Sequence, residues 1–167
     1  MEIDSFELSI ASLKECKKNL SDWVNENKIS EEQKKSRQTA SKRIFEAKEG
    51  SRKQLILGNL ELSSLPDAIF DLENLEELYL NNNRLKSISP KIANLTKLKH
   101  LDLKGSPKSL RIPKEIVSLL NLRNVILDNP DLTEENLQKN HQPNSKIIVR
   151  EIEPLKLPKT QEKEKMA

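Results

Sequence analysis

Leucines recur along this chain at a spacing that no single helix or strand explains. Leu55, Leu78 and Leu101 stand 23 residues apart, as do Leu57, Leu80 and Leu103, and again Leu75 and Leu98. One added residue near Ser109 carries the pattern on to Leu122, Val125 and Leu127. The 81 residues 52–132 hold 20 leucines, whereas the other 86 residues hold 6, so the repeat occupies the middle of the chain. Each unit contains L-x-L, which sets two leucines on one face of a short strand and the residue between them on the other. A second apolar stretch follows, usually with a proline: Leu65-Pro66 with Ile69 and Leu72, Ile88 with Pro90, Ile92 and Leu95, and Ile112-Pro113 with Ile116 and Leu119. One such unit cannot bury its own leucines, but stacked units share a core and pair their strands in parallel at ~4.8 Å. Strands are therefore expected near 54–57, 77–80, 100–103 and 124–127, with a fifth at 146–150.

Upstream, the apolar spacing becomes helical. Ser30-Glu31-Glu32-Gln33 has the form of a capping box, with Ile29 before it. The helix it starts is expected to end near Glu49, with Gly50 as its stop. Ala40, Ile44 and Ala47 form its apolar stripe, with Phe45 alongside. A solenoid end exposes leucines and needs a polar-backed cap, and this helix is placed to supply it. Before it, Ile3, Phe6, Ile10, Leu13, Leu20 and Val24 fall at near-heptad spacing, with Lys17 interrupting and Trp23 flanking. They predict an amphipathic helix over about 4–25 that packs on the cap helix or serves self-association. Its polar face mixes acids with lysines, which argues against a membrane surface. The tail 151–167 has two prolines and eight charges in balance and is expected to be disordered. The chain thus divides into N-terminal helices and cap (1–50), a repeat domain (51–150) and a charged tail (151–167).

The segment LEELYLNNNRL, residues 75–85, reads LxxLxLxxNxL. With it, residues 52–132 resemble a leucine-rich repeat of the intracellular type, carrying LPxxIxxLxxL on the convex side. The resemblance implies an α/β fold: a short solenoid of four recognisable repeats plus a terminal strand, with its parallel sheet on the concave face and an N-terminal helical cap. It also implies recognition of another protein, since such repeats usually serve recognition, and this step is by analogy with the family. The family's asparagine sits inside the turn after each strand. Only Asn83 occupies that place here; Leu60, Ser106 and Pro130 stand at the equivalents. Ser106 is expected to hydrogen-bond there, and Leu60 to be covered by the cap. The layout from Trp23 to Leu65 is also similar to the front end of bacterial secreted ubiquitin ligases. No cysteine follows Cys16, so their catalytic half has no counterpart here.

Composition narrows the chemistry. Lys and Arg number 29 against 26 Asp and Glu, a net charge of +3, and residues 98–150 carry nine basic and six acidic side chains. Neither balance makes the basic stripe of a nucleic-acid binder. A single cysteine allows no internal disulfide. No apolar run approaches the ~20 residues of a membrane span, and the acidic N-terminus lacks a signal-peptide core. A cytoplasmic chain is expected, or one exported without a cleaved signal. Two histidines and three glycines build no HExxH, phosphate loop or GxSxG, and no paired CxxC occurs. His100 and Asp102 lack a third ligand, so no cofactor, metal or catalytic residue is expected. The candidate partner-binding residues lie between and just after the inward leucines: Gln54, Ile56, Glu77, Tyr79, Asn81, His100, Asp102, Lys104, Asn124, Ile126 and Asp128. The expected function is non-catalytic binding of another protein on that concave face, a bacterial effector acting on a host protein being one form of it. The alternative is an adaptor subunit that self-assembles through its N-terminal amphipathic helix, although a monomer is the expected state.

Overall fold

A computed structural model of the chain describes residues 5–26, 29–128 and 148–150. Ile3, Asn129, Pro130, Ile147 and the tail 151–167 lie outside the described residues. Two helices, α1 (Ser5–Val24) and α2 (Glu31–Glu49), precede five short strands. These are β1 (Gln54–Ile56), β2 (Glu77–Tyr79), β3 (His100–Asp102), β4 (Asn124–Ile126) and β5 (Ile148–Arg150). They form one parallel sheet in sequence order. 3-10 turns at Asp67–Asp71, Pro90–Asn94 and Lys114–Ser118 carry the chain back along the opposite side. Pro66 and Pro113 stand just before two of them, and Pro90 opens the third. Proline suits a helix start because the first N–H has no intrahelical partner.

The leucine repeat becomes columns. Leu55 pairs with Leu78, Leu78 with Leu101 and Leu101 with Val125 across the sheet, and all four are buried. Parallel columns run through Leu57, Leu80, Leu103 and Leu127, and through Ile69, Ile92 and Ile116. Backbone bonds hold the register just past each strand: Leu57 N–H to Tyr79 O at 2.8 Å, Leu80 N–H to Asp102 O at 2.8 Å, and Leu103 N–H to Ile126 O at 2.9 Å. Beyond each strand the chain turns through a left-handed residue at the same repeat position: Asn59 (φ 59°), Asn82 (φ 54°) and Gly105 (φ 71°). Asparagine and glycine tolerate that conformation best. Gly105 is doubly constrained, because a Cβ there would stand 2.0 Å from Asn82 Oδ1.

Asn83 is buried inside the turn. Its amide donates to Leu57 O (2.9 Å) and Leu80 O (2.8 Å), and its Oδ1 accepts from Leu62 N–H (2.9 Å). Ser106, one unit on, does not hydrogen-bond through its side chain as the sequence led us to expect. Its Oγ is buried with no partner among the described residues. The physical reason is reach: a serine hydroxyl ends one atom short of the amide that spans two units at Asn83. Leu60 packs half-buried against the core.

The first unit has no predecessor, and the helices cover it. From α2, Ala40, Ile44 and Ala47 are buried; from α1, Cys16, Leu20 and Val24. Arg37 is buried beside them, on the same stripe. Its Nη1 donates to Trp23 O (2.6 Å) and to the Glu26 carboxylate, and its Nη2 donates to Ser64 Oγ (3.1 Å). Its guanidinium lies 4.9 Å from the Trp23 ring centroid, and Trp23 Nε1–H donates to the same Ser64 Oγ at 3.1 Å. One buried charge thereby ties α1, α2 and the first repeat together, with the pairing that a buried charge requires. Asn19 Oδ1 accepts from Ala68 N–H (3.0 Å), and Lys48 Nζ donates to Asp71 O (2.8 Å), adding two clasps.

Ser30 caps α2 by accepting from Gln33 N–H at 3.2 Å. At the other end α2 stops at Glu49 with Gly50 as its cap, as expected, but the left-handed conformation falls on the next residue. Gly50 has φ −85°, and Ser51 takes the left-handed turn at φ 47°. Arg52 N–H then bonds Ala47 O at 2.9 Å and Ser51 N–H bonds Lys48 O at 3.3 Å, which closes a Schellman motif.

Two outcomes test this packing. Deleting residues 1–50 exposes Leu55, Leu57, Leu62 and Phe70 together, so the fragment should aggregate or lose its cooperative urea transition. A well-behaved fragment would refute the capping role. Asn83→Ala leaves three buried backbone groups unpaired and should cost ~2–4 kcal/mol in denaturant melts. Ser106→Ala removes an orphan hydroxyl and should be neutral or stabilising by a few tenths, roughly 0.5 kcal/mol at most.

Candidate functional site: the concave sheet

The strands turn every second side chain away from the core. In β2, β3 and β4 the central residue is buried and its neighbours are half-buried; in β1 the neighbours are exposed. Strand register sorts the candidates into rows. Gln54, Glu77, His100 and Asn124 form the first row, and Ile56, Tyr79, Asp102 and Ile126 the second. Asn81 and Lys104 continue as a third, since Asn59 N–H bonds Asn81 O (2.9 Å) and Asn82 N–H bonds Lys104 O (2.6 Å). Asp128 stands one unit further, where its Oδ2 accepts from Gly105 N–H at 2.6 Å. All eleven candidates therefore share one surface. Of its apolar members only Ile56 is largely exposed, at 53%, while Tyr79 and Ile126 are half-buried against their neighbours.

The centre of this surface is organised by one carboxylate. Glu77 Oε2 accepts from Gln54 Nε2 (2.7 Å) and from the Tyr79 hydroxyl (3.0 Å). The Gln54 bond, and after it the Tyr79 bond, hold the Glu77 carboxyl below its usual range. Partial burial, then the Glu77 charge, push the Tyr79 phenol up. The Tyr79 ring also contacts the His100 imidazole in a tilted arrangement, centroids 5.1 Å apart at 42°. The hydroxyl bond at one end and the imidazole contact together hold this ring in place. Beside it, Asp102 Oδ1 accepts from Lys104 N–H at 2.9 Å, which fixes that carboxylate near the strand end.

Sequence reasoning did not find several residues that shape this surface. Arg43 of α2 donates from Nη1 to Ile56 O at 3.0 Å and so reaches the outer edge of β1. Glu76, just before β2, is held between Lys53 (2.9 Å) and Lys99. Those three stand 23 apart, so the repeat itself was the available signal. Lys99 and then Lys53 pull the Glu76 carboxyl down to about 2. Arg37 and Cys16 also lie on helical stripes whose other members were already visible.

The described residues assemble no group of three or more His, Cys, Asp or Glu fit to hold a metal. Burial raises the pKa of the Cys16 thiol, opposite to the shift that activates a nucleophile. No described helix is long and apolar enough to cross a membrane.

Several known proteins are similar to the repeated part of this chain. Residues 73–116 match the family model described as leucine-rich repeats, in two copies. An adenylate cyclase of Schizosaccharomyces pombe is 38% identical over 93 residues, which make up 53% of this chain. The chain spans 6% of the length of that curated relative. Among solved structures, a leucine-rich-repeat protein of Leptospira interrogans is similar over 64% of this chain and 33% of its own, at 25% identity and TM-score 0.44. YopM of Yersinia enterocolitica is similar over 70% and 28%, at 21% identity and TM-score 0.45. An internalin of Listeria monocytogenes is similar over 66% and 28%, at 20% identity and TM-score 0.42. Residues 73–116 are leucine-rich repeats, and the parallel sheet that contains them forms a short solenoid behind an N-terminal helical cap.

The Glu76 clip yields a pH dependence. Its pKa is about 2 in the folded chain and near the ordinary 4.5 when unfolded. Between those values the unfolded chain binds more protons, so stability rises with pH. The contribution is complete above about pH 4.5 and is lost as pH falls through 2. Glu76→Gln should flatten the stability profile in that window, and added salt should shrink the difference, since the pair is open to solvent. Parallel profiles for both proteins would show that the clip contributes nothing.

Proposed function

We propose that this solenoid binds another protein on its concave sheet and performs no chemistry there. The carrying observation is the Tyr79–His100 ring contact, with Tyr79 held by Glu77 and bordered by the exposed Ile56. Rigid aromatic anchors with an apolar neighbour and a polar rim are what interface centres use. Gln54, Asn81, Asp102, Lys104, Asn124 and Asp128 form that rim and set the partner's orientation, with Ile126 a second apolar contact. A bacterial effector acting on a host protein would employ the same surface. The front-end resemblance to secreted bacterial repeat proteins supports this narrower form, and a reporter fusion followed for translocation tests it.

One observation favours a second reading. On α1, Leu8 is 56% exposed and Ile10 36%. Exposed apolar side chains on an N-terminal helix support self-association, and sedimentation across a concentration series tests it. A concentration-independent monomer would dismiss it.

Affinity measurements with a captured partner test the main reading. Tyr79→Ala combined with Asp102→Ala should weaken binding ~30-fold or more, corresponding to ~2 kcal/mol for an anchor. The melting curve should hold, because neither side chain enters the core. Unchanged affinity in a folded double variant would move the site off this sheet.

A further inference from the structure

At the cap end of the sheet a groove of about 380 Å³ opens between α2 and β1. We propose that it receives a carboxylate side chain of the bound protein, seated next to an aliphatic one; this rests on the concave-face reading above. Arg43 and Arg52 line the groove, with Gln54 and the exposed Ile56 on its strand side and Ala47 behind. Arg43 is pinned by its bond to Ile56 O, and among the described residues its remaining N–H donors have no further partner, so they can face a ligand. Arg52 forms no side-chain hydrogen bond or ion pair among the described residues. Glu46 shares the groove without pairing with either arginine, which leaves two cations against one anion. The planar guanidinium fork fits a carboxylate with two parallel bonds, and Ile56 supplies the apolar contact beside it.

Charge along the sheet selects the class of partner. Past Gln54 the sheet presents three carboxylates, Glu77, Asp102 and Asp128, against one lysine, Lys104. A nucleic acid neutralised at the two arginines would carry its next phosphates over those carboxylates. A polypeptide meets no such conflict, since an acidic residue can be followed by neutral or basic ones. The groove and the anchor are also continuous: Gln54 lines the groove and bonds the Glu77 carboxylate that holds Tyr79.

The test uses the full chain as bait for a displayed library of random peptides. Enriched peptides should carry Asp or Glu next to an aliphatic residue. Their affinity should fall about tenfold or more in Arg52→Gln. That variant removes no bond among the described residues, so it keeps the test independent of folding. Arg43→Glu with Arg52→Glu should shift the selected residue to Lys or Arg, with a thermal melt checking the fold. An acid-free consensus, or unchanged affinity in Arg52→Gln, would overturn the inference. Acid-free peptides that are still lost in Tyr79→Ala with Asp102→Ala would overturn the groove and leave the concave reading standing. Peptides lost in Arg52→Gln but indifferent to that double variant would instead remove the concave reading on which the inference rests. Failure to enrich any peptide would count against both. An oligonucleotide that binds the wild type and is released by Arg52→Gln would make the occupant a nucleic acid and refute the proposal.

Discussion

Because the chain returns to the same face every 23 or 24 residues, each side chain lies beside its own counterpart from the unit before. That return sets the terms for everything else in the molecule. Leucine beside leucine makes buried columns that no unit could form alone. The left-handed turn recurs at Asn59, Asn82 and Gly105, so the same position must accept a positive φ each time. Charge follows the same geometry. Lys53, Glu76 and Lys99 alternate in sign along one column, and Asp67 meets Lys91 at 2.6 Å on the opposite side. Where a column repeats a charge that fits, the stack gains a clip; each such exposed pair is worth little, and their register matters more than their sum.

Stacking fails at the first unit, where no predecessor exists. The two helices replace it, and the Arg37 node shows how. Burying a guanidinium is costly unless its donors are met, so α1, α2 and Ser64 can meet only in the arrangement that satisfies it. The apolar contacts of Ala40, Ile44, Leu20 and Val24 supply attraction without direction. Arg37, Trp23 and Ser64 supply direction. The outer edge of β1 is treated similarly, with Arg43 bonding the Ile56 carbonyl, which removes an acceptor from an otherwise open strand edge.

On the concave sheet repetition works the other way. The fold guarantees a row of outward positions on every strand but leaves their identity free. Gln54, Glu77, His100 and Asn124 occupy one row with four different chemistries. Such departures from the repeat are where recognition can reside. The surface runs from arginines at the cap to carboxylates over the middle strands, with a tyrosine fixed between them.

The sequence by itself determined the repeat, the strand positions within a residue or two, and the outward set of eleven residues, because period and alternation translate directly into faces. It also marked Ser30 as the start of α2. Only the tertiary structure decided what the unmatched positions do. Arg37 is buried because three elements close around it. Ser106 sits in the asparagine's place yet finds no partner, since side-chain length, and not polarity, decides who spans two units. Ser51 took the turn that Gly50 was suited for, because the bonds from Arg52 and Ser51 back to α2 set where the chain must bend. Arg43 and Arg52 joined the edge of the concave face from a helix and a linker whose spacing carries no sign of it. Periodicity is local information repeated, so it can be read along a chain; the meeting of a helix with a strand edge depends on how whole elements dock, and no interval in the sequence encodes that distance.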